Sequence, residues 1–505
     1  MQPPQSSADT GPHTNLPCNL GPEHVPDLYR TLLSALDTAN STAREKAEGA
    51  LRRFETVPCF LDALAVIIQA PEADIRREAR LLAVLCINNV VRRHWRNNNT
   101  RNGSQNPRVG GTRLETHVQE RFGGSGGRET NNSTSHSPHA VYLREQQLEA
   151  RTVSDEEKKR LRTFLIYHMC ERDDVVAKNL AHVLAKVVRA DWPGQWPDFF
   201  QQLLSLHPFH GSGAISKNNN FHQQDDLQTL RVIQTLYRVI KELAGKSLLA
   251  DKAAFQSMAR SLFPVVHREL WLPRLHRLVA FLEQGDYGEH VLRRARVVKT
   301  LSKTLCYLSV QHAGVLERDS LESFFFHAYS AFGPLLTAEK GLLAPFATAS
   351  SPAATLPAPL SDLLIALAKI TKNLSYMVSE TQQRSPSCLS SATLSLFLHL
   401  FFEHVCSTAS CPSEPVLTAL VWDPGLGSCS RKFYLNACAF LGNCLSCPDY
   451  QSGEHHVMLS LPPTKDLMDL FRTFPFLFSI QLVVPRTKEA CGWPRISSPR
   501  SVSCS

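Results

Sequence analysis

No stretch of the 505-residue chain alternates apolar and polar residues for long, which excludes a β-sheet as its organising element. Long hydrophobic runs are missing too. The best of them, Phe474 to Pro485, is far too short to span a membrane. The first twenty residues are polar and proline-rich without an apolar core, so no secretory signal is read and an intracellular, membrane-free protein is expected. In that setting the 14 cysteines are reduced, mostly buried thiols, and the Asn-x-Ser/Thr triplets near Asn102 and Asn132 are coincidental. Also absent are G-x-S-x-G, H-E-x-x-H and any carboxylate pair in a recognisable setting. With 20 histidines, chance pairings are expected, so no catalytic residue, cofactor or metal is assigned.

Two motifs come close to chemistry and fail on their context. Ala244-Gly245-Lys246-Ser247 has the ending of a phosphate-binding loop, but Ile240 stands where its earlier glycine belongs and no strand precedes it. A helix end with a glycine stop is the simpler reading. Cys444 and Cys447 form a C-x-x-C followed by His455 and His456, yet adjacent histidines seldom both reach one metal and the second pair lacks zinc spacing.

Hydrophobic residues at 43% and charged residues at 20% describe an ordinary soluble chain. The net charge is +8, but Lys and Arg are scattered over many segments without a clustered run, which reads as solvated faces. Nucleic-acid binding is not expected.

Helical periodicity is what the chain has in quantity. Val176, Leu180, Val183, Leu184 and Val187 make one apolar stripe about four turns long. Pro193 then stops the helix, Pro197 suits the first turn of the next, and Asp198 suits its positive end. Trp192 and Trp196 flank this turn, so Val175 to Phe200 reads as a helix, a rigid corner and a second helix. Upstream, a helix pair is predicted at 26–39 and 42–55, with Ser41 as cap and Ala43, Ala47, Ala50 and Phe54 forming a small-residue side. A second pair is predicted at 59–69 and 74–95, with Ile75, Ala79, Leu82 and Cys86 inward. Acidic turns at Asp74 and at Asp173-Asp174, each followed by a β-branched residue and an alanine-rich helix, give the spacing of paired-helix repeats.

Ser154 with Glu157 makes a capping box that opens the helix before the central stretch. Further helices are predicted at 195–206, 227–244, 252–263, 275–284, 289–310, 321–336 and 360–378, with a proline loop at Pro345, Pro352, Pro357 and Pro359. Beyond 379 periodicity is read only in SATLSLFLHLFFEHV, and nine cysteines crowd the remainder.

The string DWPGQWPDFF, and the run from Ala47 to Arg96 with its small-residue helix, Phe-Leu helix and closing Trp95, resemble the importin-beta, or karyopherin, nuclear transport receptors. The resemblance covers about 25–96 and 148–312, and it implies an all-α HEAT-repeat fold, a right-handed superhelical solenoid. In domain terms it implies a disordered tail at 1–24, importin N-terminal repeats at 25–96, a flexible Gly/Asn/Ser-rich insertion at 97–147 and further repeats at 148–378. What is left, 379–505, is expected to be a poorly defined cysteine-rich tail, on a chain expected to be truncated or aberrant there.

In function the resemblance implies a non-enzymatic importin that binds the small GTPase Ran in its GTP form, carries protein cargo into the nucleus, meets nucleoporins and shuttles between cytoplasm and nucleus. The helices at 41–54, 74–95 and 174–190 are the implied Ran surface, with Arg76, Asn88, Asn89, Arg92, Lys178 and Asn179 as contact candidates. Trp95, Trp192, Pro193, Trp196 and Pro197 are assigned to structural corners. The family is typically acidic and grips basic cargo, so this basic chain departs from it. A HEAT scaffold without transport and an RNA-binding exportin-like receptor stay open as alternatives.

Loop length enters stability only logarithmically, at about 0.6 kcal/mol per doubling. Deleting residues 97–139 should therefore leave the melting temperature nearly unchanged. A large drop in thermal melts would mean that the segment is packed.

Overall fold

The computed structural model describes residues 19–71, 74–95, 153–206, 219–246, 248–310, 312–347, 357–409 and 427–445. Among them there is no strand, and the all-α HEAT-repeat class expected from the sequence is the class found. None of the described helices is long and apolar enough to cross a membrane. Two compact units divide at Phe255 and Gln256.

The first unit holds α1 (Val25–Ala35), α2 (Ser41–Phe54), α3 (Phe60–Gln69), α4 (Arg77–His94), α5 (Asp155–Tyr167), α6 (Asp174–Asp191), α7 (Phe199–Ser205) and α8 (Asn219–Ala244). Consecutive helices pack in pairs, and the pairs stack so that α1, α3 and α5 form one row and α4, α6 and α8 a second. This two-row arrangement follows from the stripes. Val176, Leu180, Val183, Leu184 and Val187 are each at most 1% exposed, because α6 is covered by α4 on one side, α8 on the other and α5 beneath. Burying five such side chains contributes roughly 1.5–3 kcal/mol each before entropy is counted.

Several boundaries differ from the sequence reading for local reasons. Asn40, not Ser41, caps α2, its side chain accepting from the Ala43 N–H at 3.0 Å, since asparagine takes the extended conformation the cap needs. Cys59 is the left-handed residue before α3, with φ 63°. Helix α4 starts at Arg77, three residues later than predicted, so Asp74 and Ile75 lie in the turn. Its inward face is Ala79, Ala83, Cys86, Ile87, Val90 and Val91, while Ile75 and Leu82 are half-buried. Helix α7 begins at Phe199, placing Pro197 before the cap and not in the first turn.

The second unit contains the end of α9 (Leu249–Val265), a π-turn (Val266–Trp271), α10 (Leu272–Glu283), α11 (Glu289–Ser309), α12 (Arg318–Ala347), α13 (Ala358–Arg384), α14 (Ser391–Ala409) and α15 (Gly427–Leu445). Again there are two rows, α10-α12-α14 and α11-α13-α15. Pro345 lies inside α12 and Pro359 in the first turn of α13, so the expected proline loop is shorter at both ends. The sequence reading let order fade near 379, yet α14 and α15 pack on α12 and α13. Phe397, Phe401, Phe433 and Phe440 form their shared core, with ring centroids 5.4–6.4 Å apart. Phe433, Ala437, Phe440, Leu441 and Cys444 recur at helical spacing and are buried. The 1–18 tail, the 97–147 insertion and residues beyond 445, Cys447, His455 and His456 among them, lie outside the described residues.

His267, in the π-turn, is fully buried among Phe263, Trp271, Phe324 and His327, and neither ring nitrogen has a hydrogen-bond partner among the described residues. Burial, then His327 and Arg268, pushes its pKa down to about 4. Burial, then Lys340, pushes His404 down to about 4 as well. A histidine whose folded pKa lies below its unfolded value of roughly 6.5 contributes stability that is complete above that value and is lost as pH falls toward 4. His267→Phe fits the aromatic site and removes the buried imidazole. The variant should lose less melting temperature than the wild type between pH 7.5 and pH 4.5, by the equivalent of about 3 kcal/mol at most. Identical pH dependence in both proteins would sink this account.

Candidate functional surface

The second-helix row is held in register by polar bonds that begin at the turn before α6. Glu171 lies there beside Arg80 of α4, which is 5% exposed and pairs with the Glu171 carboxylate at 2.5 Å while donating to the Ile68 carbonyl at 3.1 Å. From the other side Arg231 of α8, 1% exposed, donates to the Glu171 carbonyl at 3.0 Å, the Arg172 carbonyl at 3.2 Å and the Asp174 carboxylate at 2.7 Å. Asp173 caps α6 through the Val175 and Val176 N–H groups and pairs with Arg77. The Arg77 hydrogen bond, helped by the two amides and opposed by burial, holds the Asp173 carboxyl down at about 2. One turn is thereby gripped by helices from both neighbouring repeats.

The far end of α6 has a matching joint at Asp191, 7% exposed. Its carboxylate accepts from Trp95 Nε1 at 2.8 Å and from Arg162 of α5 at 2.9 and 2.7 Å. The Arg162 guanidinium also lies 5.8 Å from the Trp196 ring centre, and Lys158 lies 5.9 Å from that of Trp95. Trp95, Trp192 and Trp196 are 2%, 7% and 5% exposed, and the Trp192–Pro193 peptide is cis. Lys246, from the loop-like string set aside earlier, donates to the Trp192 carbonyl and pairs with Asp251, both at 3.1 Å.

Between these joints the row presents its polar face. Arg76, Arg92 and Lys178 are exposed, and Asn88, Asn89 and Asn179 are half-buried. They do not form one cluster. Arg76 stands at the α4 cap, where its N–H donates to the Tyr29 hydroxyl at 3.1 Å, and Asn179 turns back on its own helix to the Val175 carbonyl at 2.8 Å. Asn88 accepts from Lys186 of α6 at 2.7 Å, with Arg92 one turn further along α4. Lys186, Arg189, Arg238 and Lys241 belong to the same face and were missed, because their importance comes from alignment with α8. The row continues from α4 through α6 to α8, while α2, the first of the helices expected to meet Ran, packs chiefly on α1.

Fold and surface together define a helical-repeat protein in which the second helices of successive pairs pack in one row. The importin-beta N-terminal domain model matches residues 47–122, from within α2 through α4 and on past Trp95. The chain is 27% identical to importin-11 of Homo sapiens over 279 residues, which is 55% of this chain and 21% of that protein. It is 28% identical over 120 residues to the importin beta-like protein kap113 of Schizosaccharomyces pombe, 23% of this chain and 11% of that protein. Among solved structures it is similar to Lph2, a bidirectional nuclear transport receptor of S. cerevisiae, at 16% identity and TM-score 0.49, over 82% of this chain and 32% of that one. The chain is thus similar to proteins of the importin-beta family over about half its length, with the family's N-terminal domain matched at residues 47–122. It matches only about a fifth of the length of importin-11.

Arg231 reaches turn carbonyls that no other described donor serves, whereas its acidic partner Asp174 is exposed and can return to water. Arg231→Met should destabilise by about 1–3 kcal/mol, since the partly buried bonds to the Glu171 and Arg172 carbonyls are lost. Asp174→Asn should cost under about 1 kcal/mol. Denaturant melts of both variants compare the two. Equal losses would assign the effect to the ion pair and not to carbonyl capture.

Proposed function

We propose that this chain is part of an importin-type nuclear transport receptor, which binds Ran-GTP on its second-helix row and carries protein cargo into the nucleus without catalysis. The observation that carries the reading is the importin-beta N-terminal domain match, whose residues include α3 and α4 and so the start of that row. Relatives named as importins support an itinerary between cytoplasm and nucleus, with nucleoporins met on the way. The role needs a surface that tells two states of a partner apart. A GTPase orders its switch segments around the γ-phosphate and magnesium, and a face fixed at both ends by buried joints can select that ordered state. Only differential affinity couples cargo release to compartment.

Arg76, Arg92 and Lys178 are the exposed members of the candidate set, so they carry the test; Asn88 and Asn179 already hold intramolecular bonds. In pull-downs, Ran loaded with GTP should bind about tenfold or more tightly than the GDP form. Arg76→Glu, Arg92→Glu and Lys178→Glu should weaken it. Equal binding of both forms, or of neither, would favour a HEAT scaffold without transport. Selective binding untouched by the three reversals would keep the function and move the contact surface.

A further inference from the structure

The middle of the α4-α6-α8 row carries more positive charge than its carboxylates balance. Two bonds between helices set the geometry: Lys186 of α6 to Asn88 of α4 at 2.7 Å, and Arg189 of α6 to the Glu242 carbonyl and, at 3.3 Å, the Gly245 carbonyl at the end of α8. Helical spacing then extends each contact along its own helix. Arg92 lies four residues beyond Asn88, and Arg238 four residues before Glu242, so both stand on the face the cross-helix bonds define. Lys241, beside Glu242, is exposed.

Five cations, Arg92, Lys186, Arg189, Arg238 and Lys241, thus border a strip where Glu242 is the opposing carboxylate. The Glu242 carboxylate comes no nearer than 3.9 Å to Arg189, and among the described residues Arg92, Arg238 and Lys241 form no ion pair. The crowding is felt within the strip. Burial and then Arg92 lower the Lys186 pKa, against the opposing pull of Glu242. His182, one turn before Lys186, is lowered by burial and then by Lys186, with Arg238 and Lys241 adding to it. Elsewhere in the row cations close to the backbone are matched, Arg77 by Asp173 and Arg80 by Glu171. The strip is therefore an imbalance set into a rigid frame and not a general surplus of charge.

We infer that the strip across α4, α6 and α8 is a docking site for an acidic polypeptide segment, whose carboxylates lie between Arg92, Lys186 and Lys241. Complementary charge fixes the chemistry. Carboxylates placed there relieve the repulsion between like charges and accept from ammonium and guanidinium donors already in position. A single-stranded nucleic acid would also need a series of stacking platforms, and among the residues named for the strip only His182 carries a ring. The inference shares the second-helix row and Arg92 with the Ran reading, and Lys186 and Lys241, which lie outside the Ran candidate set, tell the two apart.

The test uses the full chain, a fluorescein-labelled glutamate-rich peptide and fluorescence anisotropy at low and physiological salt, without any GTPase. Lys241→Glu and Lys186→Ala should each weaken peptide binding about tenfold, with the affinity falling steeply as salt rises. Arg52→Glu on α2 and Arg293→Glu on α11 should leave it unchanged. Thermal melts of each variant separate loss of binding from loss of fold, and Lys241→Gln provides a milder exposed substitution should Lys186→Ala melt early. Absence of peptide binding, or equal weakening by the control reversals, would overturn the site. Tighter, strip-dependent binding of an oligo-uridylate of the same net charge would overturn the peptide in favour of RNA.

Discussion

A buried guanidinium capturing the carbonyls of a turn is the interaction on which the first unit depends. Apolar stripes bring α4, α6 and α8 together but fix neither their axial position nor their rotation, since a methyl group packs nearly as well one notch along. Arg231 and Arg80 remove that freedom. Each reaches the turn before α6 from a different neighbour, and each must find acceptors there because a buried charge without them is costly. Asp191 makes the same demand at the other end, drawing Trp95 and Arg162 to one carboxylate. Helix α6 is pinned at both ends, and its middle is left free to display side chains.

The candidate surface inherits its order from this pinning. Arg92, Lys186 and Lys241 come from three different repeats, and only a frame with little play keeps three long, mobile side chains near one line. Ordering such side chains costs rotamer entropy, and the shorter the search each must make, the less of that cost falls on binding. A surface that discriminates between states of a partner needs the same economy of motion. The joints therefore bear on the order of this surface as much as on stability.

What could be read from the sequence follows from the kind of signal each feature leaves. Apolar periodicity is local, so the stripe of α6, the extent of α11 and the presence of paired helices were visible, as was the proline stop after Asp191. Caps depend on one residue's conformation, and the choice between Asn40 and Ser41 is not written in spacing. Helix α15 had its signal, Phe433, Ala437, Phe440, Leu441 and Cys444, but a reading that attended to cysteines passed over the period they share with phenylalanines. The joints left no local signal at all. Arg80 and Arg231 look like solvated helix charges until their neighbours are known, and Lys186 became part of a surface only once α8 was laid beside α6. Asn88 and Arg92 could be named in advance because they lie on the polar face of a single helix.

One numerical regularity has a consequence of its own. Arg77 meets Asp173, Asn88 meets Lys186 and Trp95 meets Asp191, pairs separated by 96, 98 and 96 residues. So constant an interval along two whole helices means that α4 and α6 are related by a simple translation, with each rung joining corresponding positions. Additions between the helices, in the stretch from 96 to 152, lengthen the interval for every rung together and leave the ladder intact. A single residue inserted within α4 would turn everything after it by about 100°. Evolution can thus write freely between these helices and hardly at all inside them, which makes the junction after Trp95 the natural place for this lineage to vary.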